Sequence, residues 1–178
     1  VIGAINNFLL VITNNNLVGM IREDLIEYTS NTQEEVVQEQ EQNPNLTTTP
    51  ENDANIYYIL ERINAIRNEN GLPALTLDSL ITATAQTKAR DMVENNYFSH
   101  NSPTYGSPFL MMKNAGITYK AAGENIAGNN NLDDAINSFI NSPEHSQNIL
   151  SNAYNYMGIG LEKSDTYGYV IVLMFIGK

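Results

Sequence analysis

Two short apolar runs near the start of the chain are separated by asparagines. The runs Phe8–Ile12 and Leu17–Ile21 are rich in β-branched residues, and Asn14–Asn16 between them can adopt the positive φ of a tight turn. This pattern predicts a β-hairpin within residues 1–28. Because an isolated hairpin is only marginally stable, we expect it to pack on another part of the protein.

The next segment, residues 29–52, consists mainly of Gln, Glu, Asn, Thr and Pro, with almost no apolar side chains. Such a segment buries too little surface to offset the entropy lost on ordering, so it is predicted to be a flexible acidic linker. The remaining residues, 53–178, are then expected to form one domain.

Apolar residues recur at helical spacing in the first part of this domain and predict helices over about 54–69 and about 78–95. Asp53 is expected to cap the first helix. The apolar stripe of the second helix consists of Leu80, Ile81, Ala85, Ala89, Met92 and Val93.

Three shorter helices are indicated by their first residues. One is predicted to follow Ser107-Pro108 and to end near Gly116, since Ser is a good cap and Pro suits the first helical position. Another is predicted over about 132–141, and the last runs from Ser142-Pro143 through Leu150.

Three strands are predicted, at Ile117–Tyr119, Tyr156–Glu162 and Tyr167–Ile176. The last two are expected to form a hairpin around Lys163–Thr166. Helices followed by an antiparallel sheet indicate the α+β class.

Composition and charge narrow the function. The chain has no cysteine, which excludes a cysteine nucleophile and cysteine-ligated zinc. The formal net charge is −11, of which residues 1–53 carry −8 and residues 54–178 carry −3. A negative field repels phosphate backbones, so nucleic acid is not an expected partner. No apolar run has the length of a transmembrane helix, and no basic region followed by an apolar stretch marks a signal peptide.

Several catalytic motifs are absent: the chain has no Gly-x-Ser-x-Gly elbow, no His-Glu-x-x-His helix and no phosphate-binding loop. It has two histidines, His100 and His145, so any chemistry that uses an imidazole must use one of them.

The neighbours of these histidines suggest where each one lies. Tyr97 and Phe98 are expected to anchor in the core and to leave His100 on the loop after the second helix. Glu124 is expected in a loop or at a strand end. His145 occupies the third position of its predicted helix, where the helix dipole disfavours the imidazolium and suits a metal ligand or a base.

Four motifs occur in a fixed order: Tyr97-Phe98-Ser99-His100, Gly123-Glu124-Asn125-Ile126-Ala127, Ser142-Pro143-x-His145-x-x-Asn148-Ile149-Leu150, and Met157-Gly158-Ile159-Gly160. Through them, residues 55–178 resemble bacterial members of the CAP superfamily, which comprises cysteine-rich secretory, antigen-five and pathogenesis-related proteins. The resemblance implies a three-layer α-β-α sandwich with a central antiparallel sheet and a secreted or cell-surface location. It also implies a cleft of His and Glu that holds zinc or another divalent metal in some members. The N-terminal hairpin resembles the tail of an additional domain that some bacterial members carry.

The resemblance implies that His100, Glu124 and His145 form this cleft, as metal ligands or as candidate catalytic residues. Glu144, where the family often has Gly, is a weaker candidate, because a carboxylate at the second helical position is favoured by the helix dipole alone. Two neutral imidazoles suit zinc, and the carboxylate can bind the metal directly or orient a histidine.

These residues and the resemblance leave three functions open. The first is a binding module for a cell-wall, host or other extracellular ligand. The second is a hydrolase in which His and Glu activate a water, alone or through a metal. The third is a lipid or sterol carrier, an activity that some family members imply. No nucleophile with an adjacent base is apparent, so covalent catalysis is not expected.

Overall fold

The computed structural model describes the backbone of three short strands, residues 4–5, 8–12 and 18–22, and the chain from residue 50 to residue 178. The chain divides into two compact units, Val1–Glu51 and Asn52–Lys178.

The strands of the first unit are β1 (Ala4–Ile5), β2 (Phe8–Ile12) and β3 (Val18–Arg22), and they form an antiparallel sheet in the order β1-β2-β3. Ile12 pairs with Val18, which confirms the predicted hairpin, and β1 adds a strand that the pattern did not predict. The predicted turn at Asn14–Asn16 and the predicted linker up to residue 49 lie outside the described residues.

Helices and strands of the second region confirm most of the predicted order. They are α1 (Pro50–Glu69), β4 (Thr76–Leu77), α2 (Ser79–Glu94), α3 (Pro108–Asn114), β5 (Ala121–Asn129), α4 (Leu132–Asn141), α5 (Pro143–Ile149), β6 (Tyr156–Ser164) and β7 (Gly168–Gly177). Asp78, Ser107, Asn131 and Ser142 cap the last four helices by accepting hydrogen bonds from backbone N–H groups.

The start of α1 differs from the prediction. The helix begins at Pro50, so Asp53 lies within its first turn and is not the cap. The three residues from 50 to 52 therefore belong to a helix and not to the predicted linker. Proline suits this position, because the first N–H groups of a helix have no intrahelical acceptor.

The sheet of this region has the order β4-β6-β7-β5. Strands β6 and β7 are antiparallel, as are β5 and β7, but the short strand β4 runs parallel to β6. The predicted antiparallel sheet is therefore mixed, and β4 is the strand that the sequence pattern missed. A two-residue strand carries too short an alternation to be recognised from its sequence.

The predicted strand at Ile117–Tyr119 is wrong, and the strand begins instead at Ala121. Ile117 is apolar because its side chain is buried against α2 and α3, not because it pairs in a sheet. Strand β5 is rich in Gly, Ala and Asn, which have low strand propensity, but it pairs with β7 along its whole length. Long-range pairing thus overrides local preference, and Glu124 lies in the middle of a strand.

Alternating residues of β7 enter two separate cores, which shows that helices cover both faces of the sheet. Ile171, Leu173 and Phe175 pack against α1, α4 and α5, whereas Val172 and Met174 pack against α2 and α3. The predicted α-β-α sandwich is confirmed.

Two glycines of β6 let α2 approach the sheet. A Cβ atom on Gly158 would lie 2.2 Å from the carbonyl carbon of Ile81, and one on Gly160 would lie 2.2 Å from the carbonyl oxygen of Ala85. Any side chain at either position would push α2 away. The Met-Gly-Ile-Gly motif is therefore a packing motif that sets the position of α2, whose C-terminus leads to His100.

Candidate functional site

The predicted site residues come from three different elements. His100 lies in the loop after α2, Glu124 in β5 and His145 in the first turn of α5. Strand β5 is an edge strand of the sheet, with α2 and α3 on one face and α4 and α5 on the other. The two histidines thus approach the edge from helices on opposite faces.

A direct contact joins the first two of these residues. His100 Nδ1 lies 2.8 Å from Glu124 Oε1, and the side chain of His100 is 55% exposed whereas that of Glu124 is only 2% exposed. An ionised carboxylate only accepts hydrogen bonds, so Nδ1 carries the proton when Glu124 is ionised. In the neutral tautomer of this half-exposed ring, Nε2 is then the nitrogen without a proton.

The environment of Glu124 opposes its ionisation in part. Burial raises the pKa of Glu124, and the hydrogen bond from His100 and the charges of Lys88 and His100 lower it without cancelling that effect. The second oxygen, Oε2, is buried and has no hydrogen-bond partner among the described residues.

His145 is held in a less polar setting. Its backbone N–H donates to the Ser142 hydroxyl, and its ring meets the ring of Phe139 edge-on at 5.4 Å between centroids. Burial lowers the pKa of His145, repulsion from His100 lowers it further, and Glu144 acts in the opposite direction. The neutral form is thus favoured, as its helical position predicted.

Asparagines attach α5 to β5 and so fix His145 relative to Glu124. The side-chain amide of Asn125, which is fully buried, donates to the backbone carbonyl of His145 at 2.9 Å. Asn148 donates in turn to Asn125 Oδ1 at 2.8 Å. Next to them, a Cβ on Gly123 would lie 2.6 Å from the Tyr154 hydroxyl and 2.8 Å from Asn148 Oδ1, so a larger residue would displace these side chains. Each residue of the Gly-Glu-Asn motif therefore has its own structural role.

One charged residue of the site was missed from the sequence. Lys88 is fully buried on α2, and its ammonium donates to the backbone carbonyl of His100 at 2.9 Å and to the Tyr97 hydroxyl at 3.1 Å. A signal for it was available, because Lys88 falls three residues after Ala85 and four before Met92, on the buried stripe of the helix. A lysine in such a stripe needs a specific set of polar partners.

The same hydrogen-bonded network includes a second buried acid, Asp91. The Tyr97 hydroxyl donates to Asp91 Oδ2, which also accepts from the Ser102 hydroxyl at 2.7 Å. Asn95 donates to the other oxygen of Asp91 at 2.8 Å. The loop that carries His100 is therefore fastened to α2 on both sides of the histidine.

The prediction that Tyr97 and Phe98 both anchor in the core is correct for one of them. Tyr97 packs against the core formed with α2 and α3, whereas Phe98 is 39% exposed and contacts the ring of Tyr167.

Glu144 does not join the direct contact between His100 and Glu124. It is exposed, and the interaction described for it within the site is its charge acting on His145. Within residues 51–178, no group of three or more His, Asp and Glu side chains is arranged to hold a metal ion. Of the candidate ligands, the two side chains in direct contact are those of His100 and Glu124.

In the part of the chain that the structure describes, no helix is both long enough and apolar enough to cross a membrane.

A sequence model described as the cysteine-rich secretory protein family, abbreviated CAP, matches residues 60–175 of this chain. Among curated proteins, the uncharacterized protein YkwD of Bacillus subtilis is 41% identical over 137 residues, which cover 75% of this chain and 52% of YkwD. The uncharacterized membrane protein YlbC of the same organism is 36% identical over 107 residues, which cover 59% of this chain and 31% of YlbC. This chain thus matches about half or less of the length of these relatives.

Three solved structures also resemble this chain. An extracellular protein of Bacillus anthracis that contains an SCP domain is 31% identical with a TM-score of 0.65, and the match covers 71% of this chain and 41% of that protein. An outer surface protein of Borrelia burgdorferi has a TM-score of 0.65 at 18% identity, covering 70% of this chain and 93% of its own. A cysteine-rich secretory protein of Staphylococcus aureus has a TM-score of 0.59 at 21% identity, covering 71% and 39%. The latter two support the fold alone.

Proposed function

This chain belongs to the cysteine-rich secretory protein family, and we propose that it acts outside the cell, secreted or attached to the surface, as a binding module. Its site would be the His100–Glu124 pair together with His145. The location is supported by the Bacillus anthracis relative, which is extracellular. The ligand would be a cell-wall, host or other extracellular molecule.

The observation that carries this proposal is the buried carboxylate of Glu124 on Nδ1 of a half-exposed imidazole. Burying Glu124 opposes its charge, so a purely structural role would be served better by an apolar residue. What the arrangement achieves is to orient the ring of His100 and to leave Nε2 as a free acceptor or metal ligand.

A divalent ion such as zinc is the simplest partner for two neutral imidazoles. His100 and His145 would hold it, and Glu124 would orient His100 from behind. When bound, the ion would act as a Lewis acid that attracts ligand oxygen atoms. With two direct protein ligands, the other coordination positions would be open to water or ligand atoms, so the ion would exchange.

Calorimetric titration of zinc into the protein at neutral pH tests this site. We expect binding by the wild type and no binding by His100→Ala or His145→Ala, because each removes one direct ligand. Glu124→Gln should weaken binding by about 10- to 100-fold, the usual effect of losing a residue that orients a ligand. The matched control is Glu94→Gln, which neutralises an exposed carboxylate on the last turn of α2 and should leave binding unchanged.

Circular dichroism shows whether a variant that loses zinc binding is still folded. Wild-type zinc affinity in both histidine variants would exclude the metal site. Loss of the folded spectrum in either variant would instead assign a structural role to that histidine. If the wild type binds no zinc, the metal is excluded but the binding module is not. A screen of cell-wall fragments would then test for a ligand of the module directly.

The Glu124–His100 contact also favours a second candidate, a hydrolase. An imidazole oriented by a carboxylate can take a proton from water at Nε2, and the ionised Glu124 would stabilise the imidazolium that forms. Incubation with peptide and ester substrates tests this. Turnover by the wild type and none by folded His100→Ala would support it, whereas no turnover by either favours the binding module.

A further inference from the structure

We infer that Lys88 is a positioning residue for His100: its buried ammonium fastens the backbone at His100, so that the imidazole keeps Nδ1 on the carboxylate of Glu124. The inference deepens the proposed function, on which it rests, by adding the group that prepares the site before any ligand arrives.

Two contacts hold His100 in place. Lys88 donates to the carbonyl of His100 itself, at 2.9 Å, and not to a carbonyl elsewhere in the loop. Glu124 contacts the side chain of the same residue at 2.8 Å. His100 is thus held at its backbone from α2 and at its ring from β5, an edge strand of the sheet that α2 covers.

The Tyr97 hydroxyl has only one proton. It donates that proton to Asp91 and accepts the hydrogen bond from Lys88. The directions of both hydrogen bonds are thereby set. The ammonium also lies 4.9 Å from the centre of the Tyr97 ring, a distance at which a cation is attracted to the ring face.

Lys88 and Glu124 are both buried, and they attract each other without a direct hydrogen bond. Removing the ammonium would take away an attraction that offsets part of the burial of this carboxylate. His100 would also lose the hydrogen bond that holds its backbone, so its ring could move off Glu124 and take either tautomer.

A comparison inside the same chain shows that not every buried cation has this role. Arg67 is also fully buried, but it donates to the backbone carbonyls of Pro73, Ile149 and Ser151, far in sequence from His100. It belongs to the opposite face of the sheet, with α1 and α5. Arg67→Met is therefore a matched control for the loss of a buried cation.

The test is nitrogen-15 NMR of the two histidine rings in protein freed of metal with a chelator, since the ring nitrogen shifts report the tautomer. In wild type we expect one His100 tautomer with the proton on Nδ1. Lys88→Met and Lys88→Gln should lose it and give exchange-broadened signals, while Arg67→Met keeps it despite lower stability. Zinc affinity of the Lys88 variants should fall at least about tenfold.

The absence of other cysteines allows a selective rescue. Lys88→Cys, alkylated in denaturant with 2-bromoethylamine and refolded, regains an ammonium at nearly the native distance. Alkylation with 1-bromopropane gives a neutral side chain of the same length. We expect the charged form to restore the wild-type His100 signals and the neutral form not to restore them.

Wild-type His100 signals in any folded variant that lacks the ammonium would overturn the inference, and so would failure of the charged form to restore them. If the neutral variants do not fold, the test is the rate of proton exchange of the Lys88 ammonium in wild type. Exchange as fast as that of exposed lysines would show that the ammonium is not held as described, and would overturn the inference. If wild type binds no zinc but the tautomer still depends on Lys88, the metal site fails and the positioning role stands.

Discussion

At the scale of single residues, three of the four buried charged side chains within residues 51–178 lie around His100, and Arg67 is the fourth. Lys88 and Asp91 of α2 and Glu124 of β5 are all buried, and each contacts His100 or the loop that carries it. Burial opposes ionisation of each group. Hydrogen bonds outweigh this effect on the pKa of Asp91, whereas opposite charges offset it only in part for the pKa values of Lys88 and Glu124. Such a cluster is expected where a side chain must be held in one orientation.

The same scale gives a prediction for His145. Its folded pKa should lie below the ordinary value of about 6.5, because burial lowers the pKa most and a charged His100 lowers it further. The unfolded chain then binds a proton more readily, so keeping His145 neutral stabilises the fold above about pH 6.5, and this contribution is lost as the pH falls through the folded pKa. Proton NMR of the ring between about pH 4 and about pH 8 measures it.

Assignment is direct, because His100→Ala leaves a single histidine in the chain. Glu144→Gln provides a check on the cause. Glu144 raises the pKa of His145, so neutralising it should move the titration further down. A His145 pKa at or above about 6.5 in wild type would contradict the burial argument.

At the scale of elements, the position of α2 depends on how closely it packs on β6. Gly158 and Gly160 remove side chains from the contact, and Gln86 of α2 binds both the N–H and the carbonyl of Leu161, at 2.9 and 3.0 Å. Strand β4 pairs with β6 only as far as Met157, so Gln86 satisfies backbone groups that the strand leaves open. Gln86 of α2 thus makes hydrogen bonds to β6 that a longer neighbouring strand would otherwise make.

The close packing predicts an unequal response to two glycine substitutions. Gly160→Ala should lower the free energy of unfolding by about 3 kcal/mol, since its Cβ would meet the backbone of Ala85 and α2 would have to move. Gly116→Ala should cost only about 1 kcal/mol, the strain of a positive φ, because open space surrounds that position. Urea denaturation of both variants measures the difference.

Equal losses for the two glycines would mean that α2 can shift without resistance. That outcome would also weaken the link between the Met-Gly-Ile-Gly motif and the site, because α2 carries Lys88 and leads to His100.

At the scale of the whole molecule, the sheet β4-β6-β7-β5 separates the two cores described within residues 51–178, and neither core contains a cysteine. Both cores lie within residues 52–178, the same unit that the family match covers for the most part. This member of a family named for its cysteines thus has no disulfide in either layer. Its stability must come from buried apolar surface and from buried polar contacts such as those of Arg67.

Limited proteolysis should therefore produce a resistant fragment that starts near residue 50. We expect the first cuts between Thr29 and residue 49, where few apolar side chains can hold the backbone against a protease. Mass spectrometry of the fragment gives its first residue. A resistant core that still includes residues 1–28, with the segment uncut, would contradict the prediction.

The sequence by itself determined the helices and the strands β6 and β7, and it named His100, Glu124 and His145 as candidates for the site. Helices α2 to α5 are predicted by their capping residues and apolar spacing. Strands β6 and β7 are predicted by apolar runs on either side of a turn. These are local signals, because spacing and capping act within a few residues. The motif resemblance supplied His100, Glu124 and His145 as a group.

Only the tertiary structure decided the rest. Strand β5 has weak local preference and becomes a strand because β7 pairs with it, and the two-residue strand β4 exists only beside β6. The contact between His100 and Glu124, and the burial of Lys88 beneath them, depend on the approach of α2 to the sheet. Groups far apart in sequence acquire their chemistry from neighbours that folding brings together, and local patterns carry no record of those neighbours.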